Sequence, residues 1–113
     1  MTLTDLTDDE LVAFISLARL VIRADLEFSE DEEDALEAFG EQVGFPRWKV
    51  VVARAMTEVT SRDASMESAR AVSRPDARKA IQDGLKSLAA SDQIVPAEQA
   101  VLDQIAKLWR QSS

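Results

Sequence analysis

The residues of this sequence best spaced to do chemistry are carboxylates in two short segments. Asp25, Glu27 and Glu32 form one group, and Asp92 and Glu98 the other. Hard divalent cations such as Ca²⁺ or Mg²⁺ are held by several oxygens converging from more than one segment, so the two groups brought together would make a candidate cation site. An EF-hand loop is excluded. Counted from Asp25, the place of its central glycine is Glu30 and that of its closing glutamate is Leu36. The same acids have a second reading, as helix caps: Glu32 and Glu98 fall in first helical turns, where free N–H groups and the helix dipole favour carboxylates without any metal.

Paired carboxylates can also act as acid and base on a glycosidic bond, but nothing else in the chain indicates a sugar cleft. Other catalytic groups are missing. The sequence has no His, no Cys and no Tyr, which removes the commonest general base, any thiolate nucleophile or ligand, and any disulfide. A non-enzymatic protein is therefore expected.

Charge separates along the chain. Residues 1–45 hold 13 acids and 2 bases, residues 46–86 hold 9 bases and 5 acids, and the whole carries −8. That balance disfavours a phosphate backbone as partner, and no interleaved aromatics offer a stacking platform for bases. The acidic and basic parts are expected to attract each other within the fold. Within the basic part Arg74, Arg78 and Lys79 lie close on one helix face and are candidates for an acidic protein partner. Trp48, between Arg47 and Lys49 near a helix start, is a candidate half-exposed anchor, since aromatic and arginine neighbours are what protein interfaces use.

The elements that must position these groups are all helical. Thr7-Asp8-Asp9-Glu10 is a capping box opening a helix with Leu11, Phe14, Ile15, Ala18, Val21 and Ile22 inward. Ser29 to Glu32 is a second box, opening a helix with Ala35, Leu36, Phe39 and Val43 inward, and Gly44 ends it. Pro46 opens a third helix with Val52, Ala55, Met56 and Val59 on its apolar face. Asp63 or Ser65 starts a short fourth, with Met66 and Ala69 inward. Pro75 starts a fifth with Ile81, Leu85 and Leu88, and Pro96 a sixth with Val101, Leu102, Ile105, Leu108 and Trp109. No stretch alternates as a strand does. The expectation is a single all-α domain over residues 1–113, a compact bundle of about six helices. The N-terminus has neither the basic nor the apolar region of a secretory signal, and no apolar run is long enough to span a bilayer, so a cytoplasmic protein is expected.

An internal repeat is expected to organise the bundle. A shift of 66 residues lays Ala24 to Glu32 over Ala90 to Glu98, with Ala35, Leu36 and Phe39 over Val101, Leu102 and Ile105. Each copy is a helix, an acidic turn, an apolar residue and a helix start, and two such hairpins can pack about a pseudo-twofold axis with their turns together. These turns, Arg23-Ala24-Asp25 to Glu32 above all, resemble those of TerB-like domains, the family named for tellurite-resistance proteins. The resemblance implies an all-helical bundle of pseudo-symmetric halves and a cytoplasmic role in stress response or complex assembly, with acidic turn residues as metal ligands. The function expected is that of a binding module acting through protein contacts, with a divalent cation in the acidic turns as an added property. The alternative is an acidic structural or inhibitory protein that binds a basic partner without metal. Homo-oligomer formation stays open.

Overall fold

The computed structural model describes residues 3–24, 30–90 and 96–111, and each helix in it starts or stops where local chemistry dictates. A single 3-10 turn, Leu3–Asp5, leads into α1 (Asp8–Ala24), followed by α2 (Glu30–Val43), α3 (Phe45–Glu58), α4 (Arg62–Ala71), α5 (Pro75–Ala90) and α6 (Pro96–Gln111). No strand occurs among the described residues. The fold is an all-α bundle, and no helix of the described residues is long and apolar enough to cross a membrane.

The first capping box forms as its sequence requires. The Thr7 N–H donates to Glu10 Oε1 at 2.8 Å, and the Glu10 N–H donates to Thr7 Oγ1 at 3.2 Å. Gly44 joins α2 to α3 alone. Its N–H donates to the Gly40 carbonyl, its own carbonyl accepts from the Trp48 N–H, both at 2.9 Å, and its φ of 103° is one that L side chains rarely adopt. The start of α4 corrects the expectation of Asp63 or Ser65. Ser61 is the N-cap, its hydroxyl accepting from the Ala64 N–H at 3.1 Å, so the helix begins a residue or more earlier. Prolines open α5 and α6 as expected.

Helix α1 lies at the centre and packs against α3, α4, α5 and α6. Leu11, Phe14, Leu17, Ala18 and Val21 on it are buried together with Ile81, Leu85 and Leu88 of α5 and Ile105 of α6. Phe14 meets the Phe39 ring of α2 edge-on, with centroids 5.3 Å apart and planes at 85°. Gly84 of α5 makes room for it, because a Cβ there would lie 2.9 Å from Phe14 Cε1. Trp109 is buried, and its indole N–H donates to the Ala69 carbonyl at 2.9 Å, fastening the end of α6 to α4.

One expectation about α3 is overturned. Met56 was expected on the apolar inward face, yet it is 60% exposed. The inward stripe is Val51, Ala55 and Val59, spaced four apart, and Met56 stands about 100° around the helix from Ala55.

The attraction between acidic and basic parts is visible as three arginine clasps on the N-terminal segment. Arg47 pairs with Asp8 at 2.8 Å and donates to the Leu6 carbonyl at 2.6 Å. Arg54 reaches both Asp9 and Glu58. Arg74 grips Glu10 through two nitrogens and donates to the Asp5 carbonyl. Glu10 is buried, and the Arg74 hydrogen bonds hold its carboxyl below the usual glutamate range against the opposing effect of burial.

Candidate functional site

Helix α3 carries more apolar side chains than one face can bury. Beside the inward stripe runs a second, Trp48, Val52 and Met56, also at four-residue spacing. This stripe forms one wall of a groove of about 520 Å³. Ile15, Ala18, Arg19 and Ile22 of α1 form the facing wall, and Leu36 of α2 closes one side. Arg19 is the single charged residue among the described residues that line it.

The position of Trp48 is set by a glycine. A Cβ on Gly40 would lie 2.9 Å from the indole Cδ1 and 3.0 Å from Phe45 Cε1, so the bare backbone of α2 lets both rings lie against it. Trp48 is consequently half-buried, as its sequence setting suggested, with its indole in the groove wall. Among the described residues the exposed large hydrophobics are Phe45, Val50 and Met56, and all three are on α3. Of the three, Met56 alone lines the groove.

The other residues singled out from the sequence fall elsewhere. Arg74 is engaged by Glu10. Arg78 donates to the Val72 carbonyl at 2.7 Å, and Lys79 pairs with Asp83 at 2.9 Å. Arg78 and Lys79 border, with Arg110, a shallow crevice of about 240 Å³ over Pro75 and Trp109, and Arg74 is not part of it. Of the five acids, Asp25, Glu27 and Asp92 lie outside the described residues, as does the side chain of Glu32. The two turns that carry the repeat lie there too. Glu98 is described: in the first turn of α6 it is buried, only 2% exposed, although a cap of that kind ordinarily faces solvent. Among the described residues no three acidic side chains converge as a metal site requires.

Arg19 is not among the residues the sequence singles out, and Met56 reads there only as an inward residue, although one signal was there to read. A helix with two parallel apolar stripes buries one and offers the other, and α3 with its C-cap has both, Val51, Ala55 and Val59 beside Trp48, Val52 and Met56. Comparison of the chain with protein-family models, with curated proteins and with solved structures finds no match.

Proposed function

We propose that the chain is a non-enzymatic helical binding module of the TerB-like kind, serving stress response or complex assembly by holding an amphipathic helix of a protein partner. The observation that carries this reading is the apolar groove between α1, α2 and α3, continuous with exposed Met56. Its walls suit a helix. From Ile15 to Ile22 and from Trp48 to Met56, at 1.5 Å per residue, each wall is roughly 10–12 Å long, or two helical turns. A partner helix would place anchors at i, i+3 or i+4, and i+7 along that length.

Met56→Asp tests it. At 60% exposure the change should alter folding stability by no more than about 0.5 kcal/mol, while a charge in the groove wall should cut partner binding at least tenfold. Cross-linking followed by mass spectrometry should recover partners with the wild-type protein that the variant and a Val52→Asp protein lose. Equal recovery by all three would refute the groove as the interface. The alternative, an acidic protein that neutralises a basic partner, is less well supported, because Asp8, Asp9 and Glu10 are already matched by arginines of the same chain.

A divalent cation in the acidic turns is a second reading, favoured by the burial of the Glu98 carboxylate. Ca²⁺ or Mg²⁺ at a hundredfold excess over Kd would stabilise the native state by about 2.7 kcal/mol. On this reading the melting temperature of chelator-stripped protein rises by several degrees with either ion, and Asp25→Ala abolishes the rise. An unchanged midpoint with both ions at matched ionic strength would leave the acids as helix caps.

A further inference from the structure

We propose that the helix held in the groove carries a carboxylate, and that the Arg19 guanidinium is the group that receives it. This rests on the reading of the groove as a helix-binding site and adds the charge of the partner to it.

Arg19 is half-buried, and it takes part in no hydrogen bond or ion pair among the described residues. Acids outnumber bases 21 to 13 in this chain, and Arg47, Arg54, Arg70 and Arg74 each have a carboxylate of their own. Among the described residues Arg62 and Arg78 also lack a carboxylate but are engaged by Gln104 and the Val72 carbonyl, and Arg110 is exposed, whereas Arg19 is half-buried. Arg19 instead stands between Ile15 and Ile22 on one wall, opposite Met56 and Val52, with no acid among the described residues lining the groove. A guanidinium beside apolar side chains loses hydration, and it loses more when a ligand covers the groove. Any apolar segment docking there without an acid would therefore bury an uncompensated charge. A carboxylate flanking the apolar anchors would turn that penalty into a charge-assisted, two-pronged hydrogen bond.

On its other side Arg19 borders the small crevice at the junction of α3 and α4, where hydroxyls could have engaged it. None of them does: Ser16 donates to the Val12 carbonyl, Ser65 donates to the Ser61 carbonyl, the Ser61 hydroxyl accepts from Ala64, and no hydroxyl there accepts from Arg19. Among the described residues Arg19 therefore has no hydrogen-bond partner on that side either. Because the groove is open along Met56 instead of closed into a tunnel, a helix fits it better than a buried acyl chain.

The test uses fluorescent synthetic helices of about sixteen residues with Leu at i, i+3 and i+7 on an Ala/Gln background. One pair carries Glu or Lys a turn before the first Leu, and a second pair carries them a turn after the last. Fluorescence anisotropy against the full chain should show one Glu peptide binding at least tenfold more tightly than its Lys twin, about 1.4 kcal/mol. Arg19→Glu should reverse that preference, and raised salt should narrow it. Arg19→Gln, which keeps much of the packing, should abolish the preference while leaving measurable binding. Binding without charge preference, or a preference for Glu that survives Arg19→Glu, overturns this inference while the helix-binding reading stands. No binding by any peptide overturns both. Two other occupants would also overturn it: dodecanoate binding where no peptide does, or a dimer in light scattering that Met56→Asp dissociates.

Discussion

Phe14→Ala should remove roughly 3–5 kcal/mol of folding stability, the loss expected when a fully buried aromatic ring is deleted. Marginal domains have roughly 5–15 kcal/mol in total, so the variant should be partly unfolded or nearly so at body temperature. The ring is 0% exposed and sits where α1, α2 and α5 meet, edge-on to Phe39 and against the backbone of Gly84. Urea unfolding should show a much lower midpoint with a similar slope. The companion change is Gly84→Ala. In the wild-type background its methyl would be forced to 2.9 Å from the ring, and overpacking of this kind costs about 1–3 kcal/mol. Combined with Phe14→Ala the same methyl enters the cavity left by the ring, so the double variant should be more stable than the sum of the single losses. Additive losses would show that Gly84 is not what accommodates Phe14.

Glu10→Ala should cost about 2–3 kcal/mol, a loss assembled from a broken capping box and a charge-assisted pair to Arg74. The pH dependence has a defined sign. The Glu10 carboxyl is held below its ordinary range in the folded protein, chiefly by the Arg74 hydrogen bonds. Its contribution is therefore fully present above the unfolded carboxyl pKa, about 4.3, and is lost as pH falls through the folded value. Glu10→Gln retains an acceptor for the Thr7 N–H but cannot ionise. The stability gap between wild type and Glu10→Gln should be largest near pH 7 and close progressively below about pH 4.5. A gap that is constant down to pH 2 would mean that Glu10 contributes packing alone.

How much of this could be read from the residues alone depends on what fixes each feature. The capping box at Thr7, the prolines opening α5 and α6, and the arginine-to-acid matching are local chemistry or simple charge balance, and they were legible. The phase of α3 was not. Its apolar residues fit two adjacent stripes, and only the position of α1 decides that Val51, Ala55 and Val59 turn inward while Met56 faces out. Hydrophobic periodicity reports that a helix has a buried side, and it does not report which side when two compete. The groove was hidden for the same reason, since it exists only between three helices whose relative placement no single segment encodes. Arg19 is silent in the sequence, because its meaning comes from what stands across from it. Glu98 reads as a first-turn acid, and its burial follows from how α6 docks, which composition does not register.

The central place of α1 has a consequence for how the protein is made. The helix buried against four others leaves the ribosome before any of them, and Ile105 and Trp109, which complete the core, emerge about 90 residues after it. At roughly 5–20 residues per second, the apolar face of α1 waits several seconds for its cover. During that interval Leu11, Phe14, Leu17 and Val21 are a sticky nascent segment whose native partners do not yet exist. The dense acids on either side of this stretch, 13 in the first 45 residues, give the unfinished chain the self-repulsion that keeps such intermediates apart. Acidity that looks like a docking signal in the finished fold thus also serves as a solubility device before there is a fold at all.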